Sequence, residues 1–100
     1  MFIVVWEYQV KEAHLDDFMR FYASNGAWTE LFKRGKGFLG TELLRDETSP
    51  RRFMTLDRWE SEREYESFLG IFADEYKALD SQCEGWTESE TLIGRWQSVK

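Results

Sequence analysis

The 100-residue sequence contains only one cysteine, one histidine and one proline. A single cysteine cannot close an intramolecular disulfide, and the N-terminus lacks the basic and apolar segments of a signal peptide. Both features are typical of a reducing compartment, so we expect a cytoplasmic protein. No apolar run approaches the roughly 18 residues of a membrane-spanning helix, so we expect no membrane partner.

Positive charge is also scarce. The chain has 13 lysine and arginine residues against 19 aspartate and glutamate residues, for a net charge of −6. Nucleic-acid binding needs a basic stripe that displaces counterions from phosphates. The densest basic segments, 33–36 and 51–52, are too short to form one. Nucleic acid is therefore not an expected partner.

Recognised catalytic motifs are missing as well. The sequence has no glycine-rich phosphate loop and no HExxH, GxSxG or CxxC motif. His14 and Cys83 cannot supply the several ligands of a zinc site, so we expect no metal. Both are interpreted as structural residues, His14 at a helix surface and Cys83 at the end of an apolar helical stripe.

Aromatic residues, by contrast, make up 17% of the chain. Such a surplus of large side chains indicates a thick core, a pocket or an interface. Segments rich in β-branched and aromatic residues predict four strands, at 2–10, 38–45, 52–59 and 87–96.

Two helices are predicted between these strands from apolar residues at spacings of three and four. The first begins near Glu12, is ended or kinked at Gly26, and continues for a short turn before Gly35. The second begins at a capping box, with Ser61 as N-cap and Glu64 three residues later, and runs to about residue 82. The order β-α-β-β-α-β predicts one α+β domain over residues 1–100. It is ferredoxin-like, with a four-stranded antiparallel sheet and two helices on one face.

Apolar residues on both faces of the predicted strands indicate a dimer. Two helices cover only one face of such a sheet, and the other face would leave a large apolar patch in water. Two sheets packed face to face about a two-fold axis would cover it, so we expect a homodimer.

The end of the third strand holds the most informative candidate residues. Five carboxylates are predicted to lie on strands: Glu7, Glu42, Asp57, Glu88 and Glu90. A pair of them can act as acid and base, but we expect most to be solvated at strand ends or sheet edges. Because strands one and three are neighbours in this topology, Trp6, Tyr8, Asp57 and Trp59 are expected to share a face. From the residues alone, Tyr8 and Trp59 are best interpreted as packing residues. A bulge in a strand would exchange its inward-facing and outward-facing residues.

The chain resembles the antibiotic biosynthesis monooxygenase domain family of the dimeric α+β barrel superfamily over nearly its whole length. The resemblance lies in Gly37-Phe38 at the start of strand two and in the sequence LDRWES at 56–61 before the second helix. It implies a dimeric α+β barrel and, for some members, oxidation of phenolic or hydroquinone-like molecules with O2 and no metal or flavin.

The resemblance also implies roles for particular residues. Trp59 would be the pocket tryptophan, Tyr8 or Trp6 would form the opposite wall, and Arg58 or Arg95 would stabilise an oxyanion. The helix-side lining would be Tyr65, Phe68 and Phe72.

Two other functions stay open from the sequence. One is haem degradation, which another branch of the same family carries out with iron held by a histidine on the second helix. Residues 62–83 contain no histidine, so only Tyr76 or Cys83 could hold the iron here. The other is a non-catalytic module that binds a small molecule, since no unambiguous acid, base or nucleophile stands out.

Overall fold

The computed structural model describes residues 1–99. A 3₁₀ turn at Glu12–His14 precedes the first helix. The strands and helices, in chain order, are β1 (Phe2–Val10), α1 (Leu15–Tyr22), α2 (Ala27–Phe32), β2 (Phe38–Arg45), β3 (Arg52–Trp59), α3 (Glu62–Ile71), α4 (Ala73–Cys83) and β4 (Thr87–Gln97).

The four strands form one antiparallel sheet in the order β2-β3-β1-β4. This order places the first and third strands side by side in the centre, as the ferredoxin-like topology requires, so the predicted fold class is confirmed. The bounds of the first three strands match the predicted ones, and β4 extends one residue further, to Gln97. No helix within residues 1–99 has the length and apolar character needed to cross a membrane.

Each predicted helix is divided in two. Gly26 separates α1 from α2, and a β-carbon there would lie 2.5 Å from the carbonyl oxygens of Arg20 and Phe21. Only glycine permits this close turn, which redirects the chain so that α2 packs its aromatic residues onto the sheet.

The second helix was predicted as continuous but bends at Phe72, whose backbone leaves the helical conformation. The backbone N–H of Phe72 donates to the carbonyl of Phe68, and that of Tyr76 donates to Phe72, both at 2.9 Å. Helical hydrogen bonds therefore continue across the bend between α3 and α4. The predicted cap is present in part. The Ser61 hydroxyl accepts a hydrogen bond from the backbone N–H of Glu64 at 3.2 Å, which starts α3 sharply.

One face of the sheet packs against the helices. On β3 the buried residues alternate, so that Phe53, Thr55, Asp57 and Trp59 share this face, and β1 places Trp6 and Tyr8 beside them. The expectation that Trp6, Tyr8, Asp57 and Trp59 lie on one face is met.

The opposite face, called here the outer face, is covered by no helix of the described residues. Direct cross-strand pairing places six apolar residues on it: Ile3, Val5, Leu44, Met54, Leu56 and Trp96. Leu44 is 39% exposed and Trp96 is 55% exposed. The outer face also carries the ion pairs Arg58–Glu42 and Arg52–Glu7.

We predict opposite effects on stability for the same substitution at two glycines. Gly26→Ala forces a methyl group against two backbone carbonyls and should lower the free energy of unfolding by roughly 1–3 kcal/mol. Gly70→Ala, in α3, meets no atom within 4 Å and should raise it by roughly 0.5–1 kcal/mol. Urea unfolding followed by tryptophan fluorescence measures both, and a neutral Gly26→Ala would contradict the close turn.

Candidate active site

A cavity of about 180 Å³ lies between the sheet and the helices. All four strands contribute to its wall, through Trp6, Tyr8, Thr41, Thr55, Asp57 and Glu90. The helices supply Tyr22, Trp28, Phe32, Tyr76 and Asp80. The lining is thus mainly aromatic, with a few polar groups, which is the usual character of a small-molecule site.

Asp57 is the buried carboxylate of this wall, with 8% of its surface exposed. The Thr41 hydroxyl donates a 2.7 Å hydrogen bond to Oδ1 of Asp57. The second oxygen, Oδ2, accepts no hydrogen bond from residues 1–99. Burial raises the pKa of Asp57 from 3.8 to about 6, and the bond from Thr41 opposes this shift only in part. The site therefore holds a carboxylate that is more basic than usual and has a free acceptor oxygen.

Tyr8 places a second polar group in the wall. Its hydroxyl and Thr55 Oγ1 are hydrogen-bonded at 3.0 Å, and its ring packs edge-on against Phe18 and Tyr22. Burial raises the pKa of Tyr8 well above its usual value of 10. Tyr8 therefore stays a neutral hydroxyl, able to donate or accept a hydrogen bond, and does not act as a base at neutral pH.

Two further carboxylates stand where the cavity opens. Asp80, on α4, and Glu90, on β4, both line the cavity and are exposed. Partial burial raises the pKa of Glu90, and the neighbouring charge of Asp80 raises it further. The opening is therefore acidic.

The structure brings some of the sequence-predicted residues to this cavity and leaves others beside it. Trp6 and Tyr8 form part of the wall. Trp59 is fully buried and does not line the cavity; its indole packs against Phe32, which does. Tyr65 and Phe68 contact Trp59 on the side of α3, and the ring of Phe72 packs against Phe68. None of these three residues lines the cavity.

The two candidate arginines lie away from the cavity. Arg58 is on the outer face of the sheet, paired with Glu42 at 3.0 Å. Arg95 is paired with Glu62 at 2.8 Å and also with Glu66, and its guanidinium lies 5.3 Å from the ring of Phe2. Each charge is already matched by carboxylates, and neither guanidinium lines the cavity.

Several lining residues were not identified as site residues from the sequence. Tyr22 and Trp28 come from the two halves of the first predicted helix, and Tyr76 and Asp80 come from α4. Tyr76 belongs to the apolar stripe of its helix, and such a stripe does not distinguish a core residue from a residue that lines a pocket. The neighbouring positions of strands one and three predicted the correct face for Asp57, but the sequence did not mark it as a buried carboxylate.

Residues 1–99 hold no group of three or more His, Cys, Asp or Glu side chains arranged to bind an ion. Cys83 is buried, its thiol pKa is raised by that burial, and it does not line the cavity. Of the two residues that the sequence leaves as iron ligands, Tyr76 lines the cavity and Cys83 does not.

Solved structures show the same fold. A candidate antibiotic biosynthesis monooxygenase from Deinococcus radiodurans aligns over 100% of this chain and 94% of its own, with 12% identity and a TM-score of 0.78. A similar protein from Nitrosomonas europaea aligns over the whole of both chains, with 14% identity and a TM-score of 0.76. A point variant of SnoaB, a cofactor-independent oxygenase from Streptomyces nogalater, is 17% identical over 99% of this chain and 93% of its own, with a TM-score of 0.68.

No curated protein sequence matches the chain. The family model for antibiotic biosynthesis monooxygenase, however, matches residues 1–79, which include the first three strands, the cavity residue Asp57 and the LDRWES sequence. The match spans most of the chain, and the protein therefore belongs to the antibiotic biosynthesis monooxygenase family.

Proposed function

We propose that the protein is a cofactor-independent monooxygenase that oxidises a phenolic or hydroquinone-like small molecule with O2 inside the aromatic cavity. The observation that carries this proposal is Asp57, a buried carboxylate of raised pKa with one acceptor oxygen free to face a ligand, in a mainly aromatic wall. Family membership supports the reaction class, and the similarity to SnoaB supports chemistry without a cofactor.

In this proposal Asp57 acts as the general base. Its free oxygen takes the proton of a phenolic hydroxyl, and the resulting phenolate is electron-rich enough to reduce O2. A pKa of about 6 leaves most of Asp57 ionised at neutral pH while making it a stronger base than an ordinary aspartate.

The oxidation balances without a further reductant. One hydroquinone and one O2 give one hydroxyquinone and one water. One oxygen atom of O2 bonds to a ring carbon, the other leaves as water, and the substrate supplies all the electrons that O2 accepts. Asp57 returns its proton to the departing oxygen and ends the cycle ionised.

The remaining residues would position the substrate. The aromatic wall, including Trp6 and Phe32, excludes water and packs on a flat ring, while the Tyr8 hydroxyl offers a fixed hydrogen bond. Protonated Asp57 itself would stabilise the phenolate, a role that the resemblance gave to Arg58 or Arg95. Trp59 would act as a positioning residue, by holding Phe32 in the wall.

We also propose that the protein works as a homodimer, joined through the outer face. That face presents apolar residues in a continuous array on the central strands, with no helix of residues 1–99 over it. A second copy packed there would remove Leu44 and Trp96 from water and leave the cavity, on the opposite side of the sheet, open.

The Asp57→Asn variant should lose turnover by about 100-fold or more, because the amide cannot accept the substrate proton. The readout is O2 uptake with a panel of one- and two-ring hydroquinones and phenols, with ¹⁸O2 used to follow one labelled atom into the product. Asp16→Asn, at an exposed position of α1, is the matched control and should keep the full rate. A rate for Asp57→Asn within threefold of the unchanged protein would refute the role of Asp57 as the base.

The same substitution should raise stability at neutral pH. The folded-state pKa of about 6 exceeds the ordinary 3.8, so the folded protein binds the proton more tightly than the unfolded chain. The stabilising contribution of Asp57 is therefore complete below about pH 4 and is lost as the pH rises to about 6. At pH 8 Asp57→Asn should be more stable by up to about 3 kcal/mol, with the gain disappearing below pH 4. Urea unfolding at both pH values tests this, and a destabilised variant at pH 8 would contradict it.

Sedimentation velocity tests the dimer. The double variant Leu44→Glu/Trp96→Glu places charges on the outer face and should shift the protein from dimer to monomer. Ile71→Glu is the control, since Ile71 is an apolar residue on α3 that is 72% exposed and lies away from the sheet. A monomeric unchanged protein, or dissociation by Ile71→Glu alone, would overturn the proposed interface.

A further inference from the structure

The charge of the cavity is uniformly negative. Asp57, Asp80 and Glu90 line it, and its lining among residues 1–99 contains no lysine, arginine or histidine. A shallow depression adjoins the opening and shares Asp80 and Glu90 with it, adding Glu84 and Glu88. Within the described chain, the only ion pair in that depression joins Glu88 to Arg51 at 3.5 Å. A ligand entering the cavity therefore meets several carboxylates and little positive charge.

The raised pKa values of two tyrosines in the wall reflect the same negative charge. Burial is the largest cause of the raised pKa of Tyr8, and the charges of Asp57 and Glu90 raise it further. Burial likewise raises the pKa of Tyr76 most, with additional contributions from Asp80, Asp57 and Glu90. A ligand that brings an additional negative charge into the cavity would be disfavoured for the same reasons. Proton transfer from a phenol to Asp57 only moves a negative charge that the cavity already holds.

The aromatic walls add a second attraction for positive charge. Trp6, Trp28 and three tyrosines line the cavity, and the faces of such rings attract ammonium groups. Asp57 is nine-tenths buried, and its Oδ2 has no donor within residues 1–99. The wall thus combines a carboxylate oxygen that faces the cavity with ring faces and an acidic opening. The Trp28 Nε1–H is a buried donor without a partner in the described residues, and it offers a hydrogen bond to the same ligand.

We infer that the cavity binds a small cationic amine that also carries a phenol ring. The ring lies between the aromatic walls, the phenolic hydroxyl at Asp57 and the ammonium group near Asp80 and Glu90. This inference rests on the proposed function, which places the phenolic end at Asp57. It specifies in addition that the substrate is positively charged. A bare metal ion fits less well, because no three acidic side chains of residues 1–99 are arranged to bind one.

The test compares three phenols that differ in charge at the same end of the molecule. Tyramine carries an ammonium group, 4-ethylphenol is neutral, and 4-hydroxyphenylacetate carries a carboxylate. Titration calorimetry, supported by quenching of tryptophan fluorescence, measures their affinities at about pH 7.5 without any need for turnover. We expect tyramine to bind at least about tenfold more tightly than 4-ethylphenol, 4-hydroxyphenylacetate to bind most weakly, and the preference to shrink as salt is added.

Two double variants localise the effect. Asp80→Asn/Glu90→Gln should reduce the preference for tyramine over 4-ethylphenol to about threefold or less. Asp16→Asn/Asp74→Asn removes the same number of charges from exposed positions of α1 and α4 that do not line the cavity, and should keep the preference. Equal loss in both variants would show a general charge effect and overturn the inference.

The inference and the proposed function fail in different ways. Tight binding of tyramine with no O2 uptake by any phenol would support the cationic site and refute the monooxygenase. Oxidation of neutral phenols, with tyramine bound no better than 4-ethylphenol, would support the monooxygenase and refute the cationic site. Absence of tyramine binding at millimolar concentration would likewise overturn the inference.

Discussion

The burial of one carboxylate in an aromatic cavity is the constraint on which the account depends. An ionised aspartate is costly to remove from water, and within residues 1–99 Asp57 has a single hydrogen bond, from Thr41, and no basic partner. Nothing in the packing of the described core requires a charge at this position. Burial raises the pKa of this carboxylate and so weakens the folded state at neutral pH, and the proposed role of Asp57 as a base gives a reason for that cost.

The fold produces this arrangement from short-range rules. Alternation along β3 carries Asp57 to the same face as Thr55 and Trp59, and the neighbouring strands add Tyr8 and Thr41. The turn at Gly26 then directs α2 toward the sheet, so that Trp28 and Phe32 close one side of the space. Behind them the packed rings of Trp59 and Phe68 keep the wall in place. The cavity is thus a gap between a regular sheet and a bent pair of helices.

Much of the fold was predictable because its signals are local. Strand composition gave the bounds of β1, β2 and β3, and Ser61 marked the start of α3. The bend at Phe72 was missed because the apolar stripe continues through it without a proline. The site was harder to predict, since Trp6, Tyr22 and Tyr76 meet only in three dimensions and a lining aromatic looks like a core aromatic in sequence. Arg58 lies between Asp57 and Trp59 on β3, so strand alternation already places it on the face away from the cavity. The position of Arg95 depends on the pairing of β4 and on Glu62 and Glu66, which a spacing pattern does not reveal.

The central claim is that Asp57 is an unusually basic carboxylate within a ligand cavity, and its own titration tests this most directly. The ¹³C chemical shift of the aspartate side-chain carboxyl groups, followed from about pH 3 to about pH 8 and assigned with Asp57→Asn, gives the pKa of Asp57 without a substrate. We expect a midpoint near 6, which moves when tyramine occupies the cavity. A midpoint near the ordinary 3.8, unchanged by tyramine, would contradict it.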